Sequence, residues 1–171
     1  FAGESQARNR YTFFASQAKK EGYMQISDIF TETANQEKEH AEIFYNHMKE
    51  LAGQTVAIDG TYPVDLTNDV KELLRKAQHN EYEEHDPVYK TFGDVAQQEG
   101  FSAVAASFHK IAEIEQAHGS VFPEISSAVS ECTDQSYKCY FSELCGSAGT
   151  GKAVCLRCPV RLDVPELRLY L

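Results

Sequence analysis

The sequence predicts an all-α protein: a four-helix bundle with one long crossover, followed by a small C-terminal metal-binding module. Three observations carry that expectation. Residues 21–40 (EGYMQISDIFTETANQEKEH) and 99–118 (EGFSAVAASFHKIAEIEQAH) match at a constant offset of 78, pairing Glu21 with Glu99, Phe30 with Phe108, Glu37 with Glu115 and His40 with His118. The offset extends backwards to Tyr11 and Tyr89, Phe14 and Phe92, Ala18 and Ala96, so two helices are duplicated. Apolar residues recur at steps of three and four along both copies, as amphipathic helices require. All five cysteines, by contrast, fall between Cys132 and Cys158.

The first helix, within residues 1–21, carries Ala7, Tyr11, Phe14 and Ala18 on one stripe and is closed by Gly22. Glu4 shares that stripe, and a carboxylate facing inward needs a partner. The second helix, about Gln25 to Leu51, turns Ile26, Ile29, Phe30, Thr33, Ala34, Glu37, His40, Ala41, Phe44 and Met48 inward, with His47 read as a surface residue. Residues 52–65 form a connection long enough to return along the bundle, as it must when the second and third helices run in the same direction. Helical periodicity resumes over residues 66–99 through Leu66, Val70, Leu73, Leu74, Ala77, Glu81, Glu84, Val88, Phe92, Val95 and Ala96. Asp86-Pro87 interrupts it, either as a kink near Glu84 or as a junction of two shorter helices. The fourth helix, about Ser102 to Val129, turns Val104, Ala105, Phe108, Ile111, Ala112, Glu115, His118, Val121, Phe122 and Ile125 inward, with Pro123 expected to bend or fray its end. His79, His85 and His109 lack an acidic partner in register and are assigned to surface or packing roles.

Glu and His three residues apart share one helix face and can reach one ion together. A single pair arises by chance; two at equivalent places in a duplicated helix pair are what a dinuclear carboxylate site in a bundle requires. The inward polar set is Glu4, Glu37, His40, Glu81, Glu84, Glu115 and His118. Its five carboxylates would be prohibitively unfavourable when buried alone, whereas two divalent ions leave a near-neutral centre. Carboxylate-rich ligation with one imidazole per metal suits iron or manganese better than zinc.

Sixteen basic against 26 acidic residues give a net charge of −10, which argues against nucleic-acid or anionic-membrane partners. No apolar run reaches the roughly 20 residues of a membrane span and no secretory pattern opens the chain. The expectation is a soluble, cytoplasmic protein with a few residues missing before Phe1.

FAGESQARNRY, QISDIFTETANQEKEHA, EYEEHDPVYKTF and IAEIEQAHGSVF together resemble the rubrerythrins, peroxide-reducing di-iron members of the ferritin-like bundles. The resemblance implies that two iron ions are bridged by Glu37 and Glu115. It implies Glu4, Glu81, Glu84 and His118 as terminal ligands, His40 as a ligand in one oxidation state, and Tyr89 near the centre. Glu84 in the oxidised state and His40 in the reduced state would exchange at one iron. Hydrogen peroxide would be the substrate, with electrons from a donor such as rubredoxin or an NAD(P)H-dependent reductase, in a homodimer or higher oligomer. Residues 1–130 would form the bundle and 131–171 a rubredoxin-like module. There Cys155-Leu-Arg-Cys158-Pro159 resembles the second metal-binding knuckle and Cys145-Gly146 the end of the first. Cys139, however, stands six residues before Cys145 instead of three, so the spacing departs from the family. Cys139, Cys145, Cys155 and Cys158 can still hold one iron, or zinc, by four thiolates, leaving Cys132 a free thiol. The alternative function is a ferritin-like protein that oxidises ferrous iron for storage.

Overall fold

The computed structural model describes residues 1–131 of the 171, and these are helical apart from their connections. The order is α1 (Ala2–Lys20), α2 (Met24–His47) with a 3-10 turn at Lys49–Leu51, α3 (Val70–Glu83), a π-helical turn at Glu84–Tyr89, α4 (Lys90–Gln98) and α5 (Ser102–Glu131). Helices α3 and α4 together make the third rod of a four-helix bundle. None of these helices is long and apolar enough to cross a membrane. The expected cysteine module, with Cys139, Cys145, Cys155 and Cys158, lies outside the described residues.

The duplication is legible in the turns. Helix α1 ends with Gly22 at φ 86° and α4 with Gly100 at φ 87°, a backbone conformation that side chains disfavour. Around the first, the Tyr23 amide donates to Ala18 O and the Gly22 amide to Lys19 O; around the second, Phe101 donates to Ala96 O and Gly100 to Gln97 O. These are two copies of one glycine-centred helix stop, each satisfying carbonyls that the helix leaves open. Each folds its helix back onto the next, α1 onto α2 and α4 onto α5.

The packing confirms the crossover. At one end, Ile26 and Phe30 from the start of α2 lie with Leu73 and Leu74 from the start of α3 and Ile125 near the end of α5. Nearer the other end, Phe44 from late α2 packs with Tyr89, Ile111 and Ala112. Helices α2 and α3 therefore point the same way, and the chain between them must travel back. The first of these ends is held by Tyr11, Phe14, Phe30 and Phe122, whose ring centroids lie 5.5–6.3 Å apart. Burying each such ring contributes about 2–3 kcal/mol.

The crossover is longer than its composition predicted. Leu66, expected inward, is 88% exposed, and α3 begins only at Val70. The reason is local: the Asp69 carboxylate accepts from the amides of Lys71 and Glu72 and starts the helix there. Asp69→Ala is expected to destabilise the protein by about 1 kcal/mol, measurable by denaturant unfolding. Phe92 and Val95, also expected inward, are 50% and 45% exposed; the inner face of α4 is narrower than the apolar stripe, and it is Gly93 and Ala96 that are buried. Met48 is only half-buried. Pro123 does not end α5, which continues to Glu131.

Of the two readings of Asp86-Pro87, the structure takes the junction. Asp86 is extended (φ −149°, ψ 117°), as a residue before proline prefers, and its bond to Pro87 is cis. The wide turn of Glu84–Tyr89 joins α3 to α4 around it.

Candidate metal centre

Four rods bring six donors to the middle of the bundle: Glu4 from the first turn of α1, Glu37 and His40 from α2, Glu81 from α3, and Glu115 and His118 from α5. All six are at most 4% exposed. Their ligand atoms converge in two groups, each within 4.8 Å: Glu4, Glu37, His40 and Glu115, and Glu37, Glu81, Glu115 and His118. Glu37 and Glu115 belong to both. Each group adds one carboxylate and one imidazole of its own. Glu115 is the midpoint, with Oε1 2.8 Å from His40 Nδ1 and Oε2 2.8 Å from His118 Nδ1. The two imidazoles lie 6.0 Å apart, 24° from parallel.

Glu84 enters neither group. It is partly buried at the edge of the cluster, where burial and the charges of Glu4, Glu81 and Glu115 raise its pKa.

The donor atoms themselves test whether metal fits. Glu4 Oε2, both oxygens of Glu37 and Glu115, Glu81 Oε2, and Nδ1 of His40 and His118 are buried and face only one another, with no hydrogen-bond partner outside the cluster. Unpaired buried polar atoms are costly and rare. Here they converge, and carboxylates with imidazoles are the donors that iron and manganese take. The set fits a di-iron site.

Without cations, protons must occupy the cluster. Burial, followed by neighbouring carboxylates, raises Glu4 and Glu37 well above the ordinary carboxyl range, and burial with the charge of Glu115 pushes Glu81 up to about 7. For Glu115 burial acts in the same sense, but the adjacent His40 and His118 outweigh it and hold the carboxyl below its usual range. Burial alone would lower His118; Glu115 and Glu81 outweigh it and push the ring up to about 10. His40 is raised in the same way, chiefly by Glu115.

Two tyrosines close the centre reciprocally. Tyr11 of the first half donates to Glu81 Oε1 in the second, and Tyr89 of the second half donates to Glu4 Oε1 in the first. The register explains how. Tyr11 and Tyr89 are 78 apart, whereas Glu4 and Glu81 are 77 apart. The second half holds one extra residue between carboxylate and tyrosine, and the π turn absorbs it, as such turns commonly do near functional sites. Counting from Glu81, Glu84 then stands where the first half has Ala7.

The family resemblance had pointed to Tyr89 but not to Tyr11, although the 78-residue offset already paired them. It also missed Gln36, whose Oε1 lies 2.6 Å from His118 Nε2. Asp65 was missed too. This crossover residue, its side chain 8% exposed, meets Arg10 at 3.3 Å, Lys76 at 3.3 Å and Asn80 at 3.0 Å, neighbours of Tyr11 and Glu81. The remaining histidines stay away from the donors: His79 pairs with Glu83, His109 with Asp94, His85 bonds Ala112 O and His47 bonds Ser107 Oγ.

A bundle in which two rods each give a Glu and the other two each give a Glu-x-x-His pair is the ferritin-like di-iron class. Comparison with known proteins narrows the class. A family model described as Rubrerythrin matches residues 1–126. The chain is 49% identical over 132 residues to rubrerythrin of Clostridium perfringens, covering 77% of this chain and 68% of that one. Rubrerythrin of Nitratidesulfovibrio vulgaris is 40% identical over 131 residues, 77% of this chain and 67% of its own. Among solved structures, fully reduced, all-ferrous nigerythrin superposes with a TM-score of 0.67 at 26% identity, over 78% of this chain and 65% of that one. The chain belongs to the rubrerythrin family. It matches about two thirds of the length of these relatives.

Proposed function

We propose that this protein is a non-haem di-iron peroxidase that reduces hydrogen peroxide to water in defence against oxidative stress. The observation that carries the reading is the pair of donor groups sharing Glu37 and Glu115, made of buried atoms that lack any other partner, in a chain of this family. Two ferrous ions held there would supply the two electrons that, with two protons, convert one hydrogen peroxide to two waters.

In this reading Glu37 and Glu115 would be shared by two ions, Glu4 with His40 would hold one of them, and Glu81 with His118 would hold the other. Tyr11 and Tyr89 keep their protons, since burial and the carboxylates beside them raise both phenols. Each hydroxyl fixes one oxygen of Glu81 or Glu4 and leaves the other for the centre. Glu84, outside both groups, would exchange with His40, as a ligand in the oxidised state and as a proton carrier in the reduced one. The rings of Tyr89, Phe44 and Phe108 pack against one another beside Glu4, which Tyr89 bonds, and would limit water there.

Residues 1–130 would form the catalytic bundle and 131–171 a module in which Cys139, Cys145, Cys155 and Cys158 hold one iron, or zinc. That module would accept electrons singly from a rubredoxin or an NAD(P)H-dependent reductase, within a cytoplasmic homodimer or larger assembly. The second reading, ferrous-iron oxidation for storage, has the same centre but no use for a one-electron relay.

Anaerobic stopped-flow mixing of the diferrous protein separates the two. Peroxide is expected to oxidise it at least tenfold faster than dioxygen at equal concentration. Faster reaction with dioxygen, coupled to uptake of further ferrous ions, would replace the peroxidase by the storage reading.

A further inference from the structure

The duplication allows the two halves to be compared position by position, and at the centre one pair of positions differs in kind. Gln36 directly precedes Glu37 and is buried. Its amide oxygen can only accept, so at 2.6 Å it takes the Nε2 hydrogen of His118. The ring is thereby fixed in one orientation, with Nδ1 turned toward Glu115, Glu81 and Glu37, and in one tautomer once Nδ1 gives up its proton to bind metal. The 78-residue offset carries Gln36 onto Ile114, which directly precedes Glu115. Isoleucine has nothing to accept with. Among the described residues, no side chain bonds Nε2 of His40.

An outer hydrogen-bond acceptor on a ligating imidazole selects its tautomer, aims the ring and increases the basicity of the ligating nitrogen. One imidazole of the centre has this support and the other does not. We infer that Gln36 is a positioning residue for His118, and that Ile114 in its counterpart's place makes the two metal positions unequal. The group with His118 is the tighter and fills first; the group with His40 is the weaker and fills second. This rests on the dinuclear reading of the centre. It adds that the asymmetry between the ions is written in a residue that touches neither.

The test is a calorimetric titration of the metal-free full-length protein with Mn²⁺, which thiolates bind poorly. The wild type is expected to bind two ions with affinities separated by roughly 10-fold to 100-fold, the usual scale for such an outer partner. Gln36→Leu should weaken the tighter step by about that factor and bring the two together, whereas Gln36→Glu, which keeps an acceptor, should preserve the separation. Ile114→Gln should strengthen the weaker step. In proton NMR of the ferrous protein, one hyperfine-shifted imidazole N–H should resist solvent exchange in the wild type and lose that protection in Gln36→Leu. Unchanged steps in Gln36→Leu, or equal weakening of both with loss of the same factor in Gln36→Glu, would overturn the tether while leaving two bound ions. Fewer than two ions in the wild type would overturn the dinuclear reading as well.

Discussion

Glu115→Ala is expected to abolish the stable binding of both metal ions, each affinity falling by roughly 100-fold or more, beyond what loss of a mere outer partner costs. Glu115 belongs to both donor groups and places one oxygen 2.8 Å from each imidazole. Its removal takes a ligand from each ion and the shared anion from between them. Glu37→Ala should behave alike for the same reason. Glu4→Ala is the control, since Glu4 enters only the group with His40; it should cost one ion and spare the other. Elemental analysis after gel filtration reads the stoichiometry. Retention of one ion at undiminished affinity in Glu115→Ala would show that this carboxylate does not bridge.

The second large effect concerns stability and pH. In the metal-free protein, Glu4, Glu37 and Glu81 have folded-state pKa values above the ordinary 4.5, about 7 for Glu81. Folding therefore takes up protons, and the stabilisation is complete below pH 4.5 and lost as pH rises through the folded values. His40 and His118 act in the same sense, their share being full below 6.5 and lost toward about 10 for His118. Glu115 has the opposite sign, but its contribution is already complete above 4.5 and does not change in this window. The melting temperature of metal-free protein is accordingly expected to fall between pH 5 and pH 8, by something on the order of 10 °C. In the loaded protein the slope should reverse, because protons then compete with metal for the same atoms. Two scanning-calorimetry series, with and without chelator, decide it; parallel slopes would mean that the cluster is not where the protons go.

Much of this centre could be read before the fold. Glu4 and Glu81 were visible as carboxylates on apolar stripes, and the two Glu-x-x-His pairs as a repeat. What stayed hidden depends on contacts across helices. Gln36 lies off the stripe of α2 and acquires meaning only because His118 of α5 reaches it. Asp65 sits among loop residues, and polarity does not distinguish a carboxylate buried against Arg10 and Asn80 from one in water. The start of α3 was misplaced because Leu66 keeps helical period with Val70, while capture of two amides by Asp69 decides where hydrogen bonding begins. Phe92 and Val95 obey the period as well, but period gives the direction of a face, not its width.

The crossover between α2 and α3 leaves the hydrophobic clusters untouched, its one buried side chain being that of Asp65. Topologically, the bundle is two hairpins joined by a single thread. What binds the hairpins into one body is their exchange of residues: Tyr11 to Glu81, Tyr89 to Glu4, and a donor from each half in both metal groups. The order in which the hairpins follow one another along the polypeptide is thus incidental to the core. A circular permutant opened near Gly60 would keep every residue of the centre in place.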